Sequence, residues 1–553
     1  MMKMTSISDG ARNLPLRHIS IRVPWNDTGW TGLICQNPTD NISCLVLQRI
    51  RETRNDGLEE NLAGQSWEDL DENRLPPCLS ERGSFMAPYD ISRKITHPYS
   101  ETSNAHKHIL PTPYRFPAYS ASCIPFRWML KESAEEIANE LELGFRPELE
   151  DRAHEIMGFN TSWVQSKHNQ LTMLDTYFSS VKPNNSLCFY YAKRTPLAED
   201  NRRVIVGVGW VKELGNPVEY IYLEKNEIES VIWERSVYHS IRPDFSDGFL
   251  FPYHEVLEYL EQHPDEDPNS YIAFVPDDNF WSFSYASEHV TNDDAIASLL
   301  SCIKAIQSIE KIIPGKWDQV RLWIEDRLNE LWKMRGPYPG LGSALVAFGV
   351  EHGISLAYEI ECTLIDQENL DPWPIIDDLF CDPEKLNNKL QKFASSSLCA
   401  KWQALPEERK ALLKLVSRFE LTSDQAKCFY VHEDERRDRF GINFKDSEIL
   451  ENPYLLYELD IESFEPIHLA IIDRGCFPDQ SIREKYPLEQ PSRIDDATDQ
   501  RRVRAFVIRQ LEEMAEEGHT LYARHQIIQD IRELDVQPAC PIDGDLMLSL
   551  IHI

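Results

Sequence analysis

Residues 334–353 read MRGPYPGLGSALVAFGVEHG. Upstream, Val320, Trp323, Ile324, Leu328 and Leu331 recur at three- and four-residue steps, the apolar stripe of a helix. Downstream, Leu345 and Phe348 begin a second stripe. Between them lies Pro339-Gly340-Leu341-Gly342, where glycine permits positive φ and close approach and Leu341 can tuck between helices. The spacing predicts a helix-hairpin-helix over about 318–353. Its turn would aim the amides at Gly340 and Gly342, and the positive end of the second helix, at a nucleic-acid phosphate. Lys333 and Arg335 flank that point. The alternative is an ordinary αα-hairpin closed by glycine.

The charge balance limits what such a turn can do. The 553 residues, 42% of them hydrophobic, can fill several cores, and 91 acidic against 57 basic residues give a formal charge of -34. A chain this acidic does not coat DNA by bulk electrostatics, so any nucleic-acid contact is local. Twelve cysteines occur without a CxxC pair, and MMKMTSISDG has no apolar signal core, which together point to a reducing, cytoplasmic setting. No apolar run approaches the roughly twenty residues a membrane span needs.

Residues 1–130 read as a Cys/Pro-rich N-terminal extension, expected to offer a surface to protein partners, in which 18–23 (HISIRV) alternates like a strand. Cys35, Cys44, Cys78 and Cys123, with His97, His106 and His108, carry metal-ligand chemistry. Structural zinc pairs its ligands two to four residues apart, and these spacings do not, so the expectation is buried thiols and no metal.

Residues 131–300 read as an α+β module. Helical patterning to 181 is followed by SLCFYYAK (186–193), a polar loop, RVIVGVGWV (203–211), a Gly-Asn-Pro turn and VEYIYL (218–223), which predicts an antiparallel meander over about 186–223. An aromatic strand, a charged loop and a GVG strand resemble small PUA-like barrels that inspect nucleic-acid bases. Tyr190 and Trp210 are then either stacking platforms or core. A Mg²⁺ nuclease lacks its Glu-x-Lys spacing here.

Further domains are expected at 301–400, 401–495 and 496–547. Thr422 or Ser423 caps a helix, 449–457 reads ILENPYLLY, 459–475 reads as a second hairpin, and DQRRVRA (499–505) leads to Gly518-His519-Thr520. The helix from Gln500 is expected to bury Val503, Phe506, Val507, Leu511 and Met514. Arg501, Arg502 and Arg504 are left for DNA or for surface ion pairs.

This succession of a glycine hairpin, an Asn-Pro-Tyr helix start, a second hairpin and an RRxRA helix running to Gly-His-Thr resembles the region before the motor in long-form RecD-like helicases of superfamily 1. It covers residues 320–547. The resemblance implies DNA as partner, single-stranded or at a duplex junction, with ATP and Mg²⁺ as cofactors of the intact enzyme. Two departures stand out. Asp460-Ile461-Glu462-Ser463-Phe464 replaces a glycine turn, and Glu462 would repel phosphate. No GxxxxGK[ST] exists, since Gly315-Lys316 precedes Trp317. The terminal LSLIHI (548–553) matches the translation of a sequencing-library transposon adaptor, CTG TCT CTT ATA CAC ATC, so it is expected to be an artefact ending a fragment that lacks its motor.

The expected fold class is therefore α+β and multidomain: an irregular, β-containing N-terminal region, a small antiparallel β module, then mainly α with helix-hairpin-helix elements. The expected function is the DNA-binding front of an ATP-dependent helicase, with no catalytic residue or cofactor in this stretch. The alternative is a complete, non-enzymatic DNA-binding or protein-interaction scaffold.

Overall fold

Residues 187–214 supply the two strands around which the N-terminal half closes. In the computed structural model, the residues described are 8–23, 65, 85–88, 90–193, 195–198, 202–224, 227–276, 279–364, 367, 369–441, 444–460, 466–534 and 536–550. The fold is α+β and divides into two units, Met1–Arg327 and Leu328–Ile553.

Eleven strands are described in the first unit: β1 (His18–Arg22), β2 (Ile91–Ile95), β3 (Ile109–Leu110), β4 (Thr112–Phe116), β5 (Ser120–Cys123), β6 (Leu187–Ala192), β7 (Val204–Leu214), β8 (Ile221–Tyr222), β9 (Arg235–His239), β10 (Gly248–Leu250) and β11 (Ser287–Val290). A seven-stranded sheet runs β11-β1-β6-β7-β9-β5, with β10 also on β7. Every residue of β6 is buried, which its unbroken LCFYYA run anticipates.

The expected β6–β7 hairpin forms, with Leu187 opposite Trp210. The third meander strand does not. The second edge of β7 is already taken by β10 at Gly207–Gly209 and by β9 at Val211–Leu214. Residues 218–223 therefore leave the sheet: β8 pairs with β3, and Glu219 forms an isolated bridge with Val231. Sharing one edge between two partners across a register shift at Val211/Glu213 curls the sheet. The alternating glycines make this possible: a Cβ on Gly209 would lie 2.7 Å from Ile241 Cγ1, and one on Gly207 2.9 Å from the Phe249 carbonyl.

β1 is a strand as expected, but it does not belong to a separate extension. It lies between β11 and β6, parallel to β6 with Ile19 opposite Cys188, so residues 1–130 contribute to the same sheet as 187–290. Among the described residues five α-helices accompany the sheet: α1 (Lys131–Glu140), α2 (Pro147–Met157), α3 (Lys167–Ser179), α4 (Tyr253–Gln262) and α5 (Asn292–Ile309). α3 is buried over most of its length. Its N-terminus receives the carboxylate of fully buried Glu150, which accepts the Gln165 and Ser166 amides at 2.6 and 3.1 Å and Asn169 Nδ2 at 2.8 Å. An anion belongs at that end of a helix, where orphan amides and the macrodipole converge.

The second unit is helical. α6 (Trp317–Arg335) runs through the boundary, followed by α7 (Leu341–Phe348), α8 (Gly353–Leu364), α9 (Trp373–Cys381), α10 (Ser396–Gln403), α11 (Glu407–Val416), α12 (Ser423–Tyr430), α13 (Glu433–Phe440), α14 (Asp446–Glu451), α15 (Leu455–Glu458), α16 (Leu469–Cys476), α17 (Gln480–Lys485), α18 (Gln500–Glu516), α19 (Arg524–Arg532) and α20 (Gly544–Leu550). An apolar core extends from Leu341 to Ile542 and includes Phe348, whose ring meets Trp402 edge-on at 5.3 Å. Thr422 caps α12, with Gln425 closing the capping box. Arg436, fully buried on α13, donates to Asp446 at 2.6 Å, and Arg409 holds the other Asp446 oxygen at 2.8 Å.

Candidate nucleic-acid interface

The glycine hairpin forms where expected, but its turn faces inward. Gly340 has φ -93, and the left-handed glycines are instead Gly336 (φ 63) and Gly349 (φ 113). The Gly340 amide donates to the Ser417 carbonyl at 3.0 Å, and a Cβ there would lie 1.8 Å from the Phe419 carbonyl oxygen. Ser343 Oγ closes the same side by donating to the Leu421 carbonyl at 2.7 Å. The N-terminus of α7 is thus covered by the end of α11 and the chain leading into α12. Gly342 serves packing as well, since a Cβ on it would meet Ile354 Cα at 3.1 Å. Across the same crossing, Gly353 lies against Val346, so two glycines let α7 and α8 approach backbone to backbone. The expected phosphate cradle at Gly340 is corrected to a buried contact. Leu341 is buried, as its place between the helices requires.

The flanking cations divide. Arg335 is buried and donates to the Gly336 and Arg418 carbonyls, both at 3.3 Å, so its charge serves the interior of the unit. Lys333 is exposed.

On α18 the three expected arginines have different fates. Arg502 is fully buried: Nε and Nη2 donate to the two oxygens of Asp473 at 2.7 and 2.8 Å, Nη1 to the Ala497 and Ala539 carbonyls, and Nη2 also to Pro538. Arg501 is likewise engaged, holding Asp499 through Nε and Nη2 and reaching the carbonyls of Glu451, Pro491 and Arg493. Arg504 pairs with Glu458 at 2.9 Å and keeps 44% of its side chain exposed. Burial pushes the Glu458 carboxyl up, against the pull of Arg504.

The helix's buried face is rotated from the one expected. Arg502, Val503, Ala505, Phe506 and Gln510 are buried, whereas Leu511 is 45% exposed. Arg502 turns inward because Asp473 waits there. The Asp473 carboxylate also accepts the Tyr454 hydroxyl at 2.7 Å, and all three residues are buried. Tyr454 is the tyrosine of Asn-Pro-Tyr, so the helix start, the second hairpin's helix α16 and the RRxRA helix meet at one point. Asp473 was missed in the sequence. Its signal is an acid three and four residues from Cys476 and Leu469, on the buried stripe of α16. The turn at 461–465, with Glu462, lies outside the described residues. Asp460 before it accepts the Ile467 amide at 2.8 Å.

In the first unit Tyr190 is core, fully buried, while Trp210 is half-buried with the Arg327 guanidinium 4.9 Å from its ring centroid. Cys35, Cys44 and Cys78 lie outside the described residues, and Cys123 is buried with its thiol pushed up to about 12 by desolvation. His97 and His106 stack at 4.4 Å, both held neutral by burial, which lowers them to about 3 and about 4. Among the described residues no three His, Cys, Asp or Glu side chains are placed to hold a metal ion, and no helix is long and apolar enough to cross a membrane. Comparison with protein-family models, with curated proteins and with solved structures finds no match to this chain.

Proposed function

We propose that the chain is the DNA-engaging portion preceding the motor of an ATP-dependent, RecD-like superfamily 1 DNA helicase serving DNA repair, recombination or defence against foreign DNA. The observation that carries this reading is the Tyr454–Asp473–Arg502 cluster. Three segments that bear the resemblance, contributing Tyr454, Asp473 and Arg502, close on a single buried carboxylate, as parts of one module would. ATP and Mg²⁺ belong to the motor of the intact protein, because this sequence has no phosphate loop to cradle them.

On this reading DNA meets exposed cations of the second unit, Lys333 first and Arg504 after it. Gly340, Arg335, Arg501 and Arg502 hold the module's shape. Contact through so few cations is weak, sequence-independent and shallow in its salt dependence. Fluorescence anisotropy with single-stranded and duplex oligonucleotides at two salt concentrations tests it. Lys333→Ala is expected to cost about 0.5–1.5 kcal/mol for every sequence alike. An affinity that Lys333→Ala and Arg504→Ala together leave unchanged removes DNA contact from this surface. Reading the coding DNA past codon 547 and assaying its product for DNA-stimulated ATP hydrolysis tests the motor.

A second reading, a non-enzymatic scaffold, draws support from the closed glycine hairpin and from the inward use of three of the four neighbouring arginines. A natural stop codon, with no salt-dependent oligonucleotide binding, would select it.

A further inference from the structure

We infer that residues 280–285 of the first unit, with Phe126 and Glu288, form a site for an unpaired nucleobase of a single strand: aromatic rings to stack on and a carboxyl to read its edge. The inference stands on the first unit alone and is independent of the helicase reading.

The first observation is exposure. Phe280, Trp281 and Tyr285 are 48%, 52% and 38% exposed within six residues. Three large aromatic side chains brought to one stretch of surface carry apolar area that folding leaves in contact with water. They are not loosely held. Tyr191 donates its hydroxyl to the Ser284 and Tyr285 carbonyls, Ser20 Oγ donates to Ser282 at 2.5 Å, and Ser284 Oγ to Trp281 at 2.7 Å. Buried groups of β1 and β6 thus fasten the backbone of the stretch from beneath. Tyr285 is held at φ 32, a left-handed conformation that costs an L-residue free energy. Its ring stacks on Phe126 at 5.5 Å and 11°, and Phe126 rests edge-on against Trp163 at 4.6 Å. A base laid on Tyr285 would extend an existing stack.

The second observation is an unmet acceptor. Glu288 on β11 is only 6% exposed, and its Oε1 has no hydrogen-bond partner. It stands opposite Ser20, whose Oγ donates to Ser282, and lies within electrostatic reach of exposed Arg127, the neighbour of Phe126, and of buried Tyr191, Tyr177 and Cys123. Leaving a buried carboxyl oxygen unpaired is costly unless a ligand supplies the donor. Desolvation pushes this group up to about 7, so at neutral pH both its accepting and its donating forms are populated.

The third observation is charge. In a chain of net charge -34 arginines from other segments adjoin these rings: the Arg203 guanidinium lies 3.9 Å from the Phe280 ring centroid, and Arg127 is exposed beside Phe126. Aromatic faces interleaved with arginine are the chemistry that holds bases and their phosphates without reading a duplex. A carboxylate accepts best from a base edge with two adjacent donors, which guanine N1–H and N2–H₂ present and thymine does not.

The test uses the full chain and short oligonucleotides of dG-containing and dT-only sequence, with matching oligoribonucleotides, followed by fluorescence anisotropy and by quenching of tryptophan emission. Base–aromatic stacking predicts that Trp281→Ala with Tyr285→Ala weakens single-strand binding by about 5- to 150-fold, while Tyr285→Phe retains it. Glu288→Gln is expected to reduce the preference for dG over dT with little effect on dT binding. Equal binding of DNA and RNA assigns the contact to the base alone, and a preference for either identifies the strand; both support the site. Unchanged affinity in the double alanine variant, with circular dichroism showing an intact fold, overturns it. Lys333→Ala in the second unit leaves the dG preference unaltered, so failure here is distinguishable from failure of the helicase reading.

Discussion

Arg502 grips Asp473 through two parallel hydrogen bonds, at 2.7 and 2.8 Å, with both side chains buried. The bidentate geometry satisfies two guanidinium edges at once, and three carbonyls take the remaining donors. Removing one partner strands the other charge in the core. Asp473→Ala and Arg502→Ala are each expected to cost about 3–5 kcal/mol in urea unfolding. The double variant should lose clearly less than the sum, and full additivity would show that the pair does not act as one. Tyr454→Phe, which removes one hydroxyl donor to Asp473, should cost about 1–2 kcal/mol.

A second expectation concerns Gly340. A methyl group there has no space, because the Phe419 carbonyl oxygen lies 1.8 Å from where it would sit. Gly340→Ala must push α7 away from the end of α11 and break the 3.0 Å amide bond to Ser417. A loss of several kcal/mol, on the order of 3 or more, is expected in chemical denaturation. Gly342→Ala, facing Ile354 Cα at 3.1 Å, is expected to cost less. Equal, small losses at both positions would contradict the inward-facing turn.

What was legible in the sequence was local. The apolar runs of β1, β6 and β7, the Thr422 cap and the helix beginning at Gln500 are periodicity and capping chemistry, and each forms. What was not legible was long-range. Gly340 reads as conformational freedom beside a proline, whereas it is glycine because Phe419 passes against it, and no window on the turn contains Phe419. Three arginines within four residues on an acidic chain read as a surface, and the acid that turns Arg502 inward lies 29 residues earlier. The stretch 218–223 has strand composition, but strands elsewhere had filled the edge of β7. The aromatic cluster at 280–285 has no period at all, so only its exposure reveals it.

A third expectation concerns Glu150. Its carboxylate satisfies two backbone amides and Asn169 at the start of α3, and it is fully buried. Glu150→Ala leaves those donors without an acceptor and the helix end without its anion, at an expected cost of about 3 kcal/mol. Glu150→Gln retains one oxygen but turns an amide toward donors, so an intermediate loss is expected. Thermal unfolding followed by near-UV circular dichroism measures both, and a Gln variant as stable as the parent would remove the charge from the explanation.

The last expectation is acid lability of the first unit. Burial lowers His18 and His106 to about 4 and His97, His239 and His289 to about 3, from an ordinary value of 6.5. The sign follows from where protons bind. Above pH 6.5 folded and unfolded chains both hold these rings neutral, and their contribution is fully present. As pH falls below 6.5 the unfolded chain takes up protons that the folded chain refuses, so stability falls by about 1.4 kcal/mol per pH unit for each histidine. At pH 5 that amounts to about 2 kcal/mol for a single such ring, and all five act in the same direction. Glu288 works the other way. Its carboxyl is pushed up to about 7, so its contribution is present below its ordinary value of 4.5 and lost as pH rises through 7, recovering at most about 2–3 kcal/mol at pH 5. The histidines win. Tryptophan emission and near-UV circular dichroism are expected to show the first unit unfolding between pH 6.5 and about 4.5. Glu288→Gln, which removes the opposing group, should raise stability at pH 8 and steepen the acid loss. A urea midpoint that stays flat from pH 7.5 to 5 would mean that these rings are protonated in the folded chain, and would require water or acidic partners at the buried histidines.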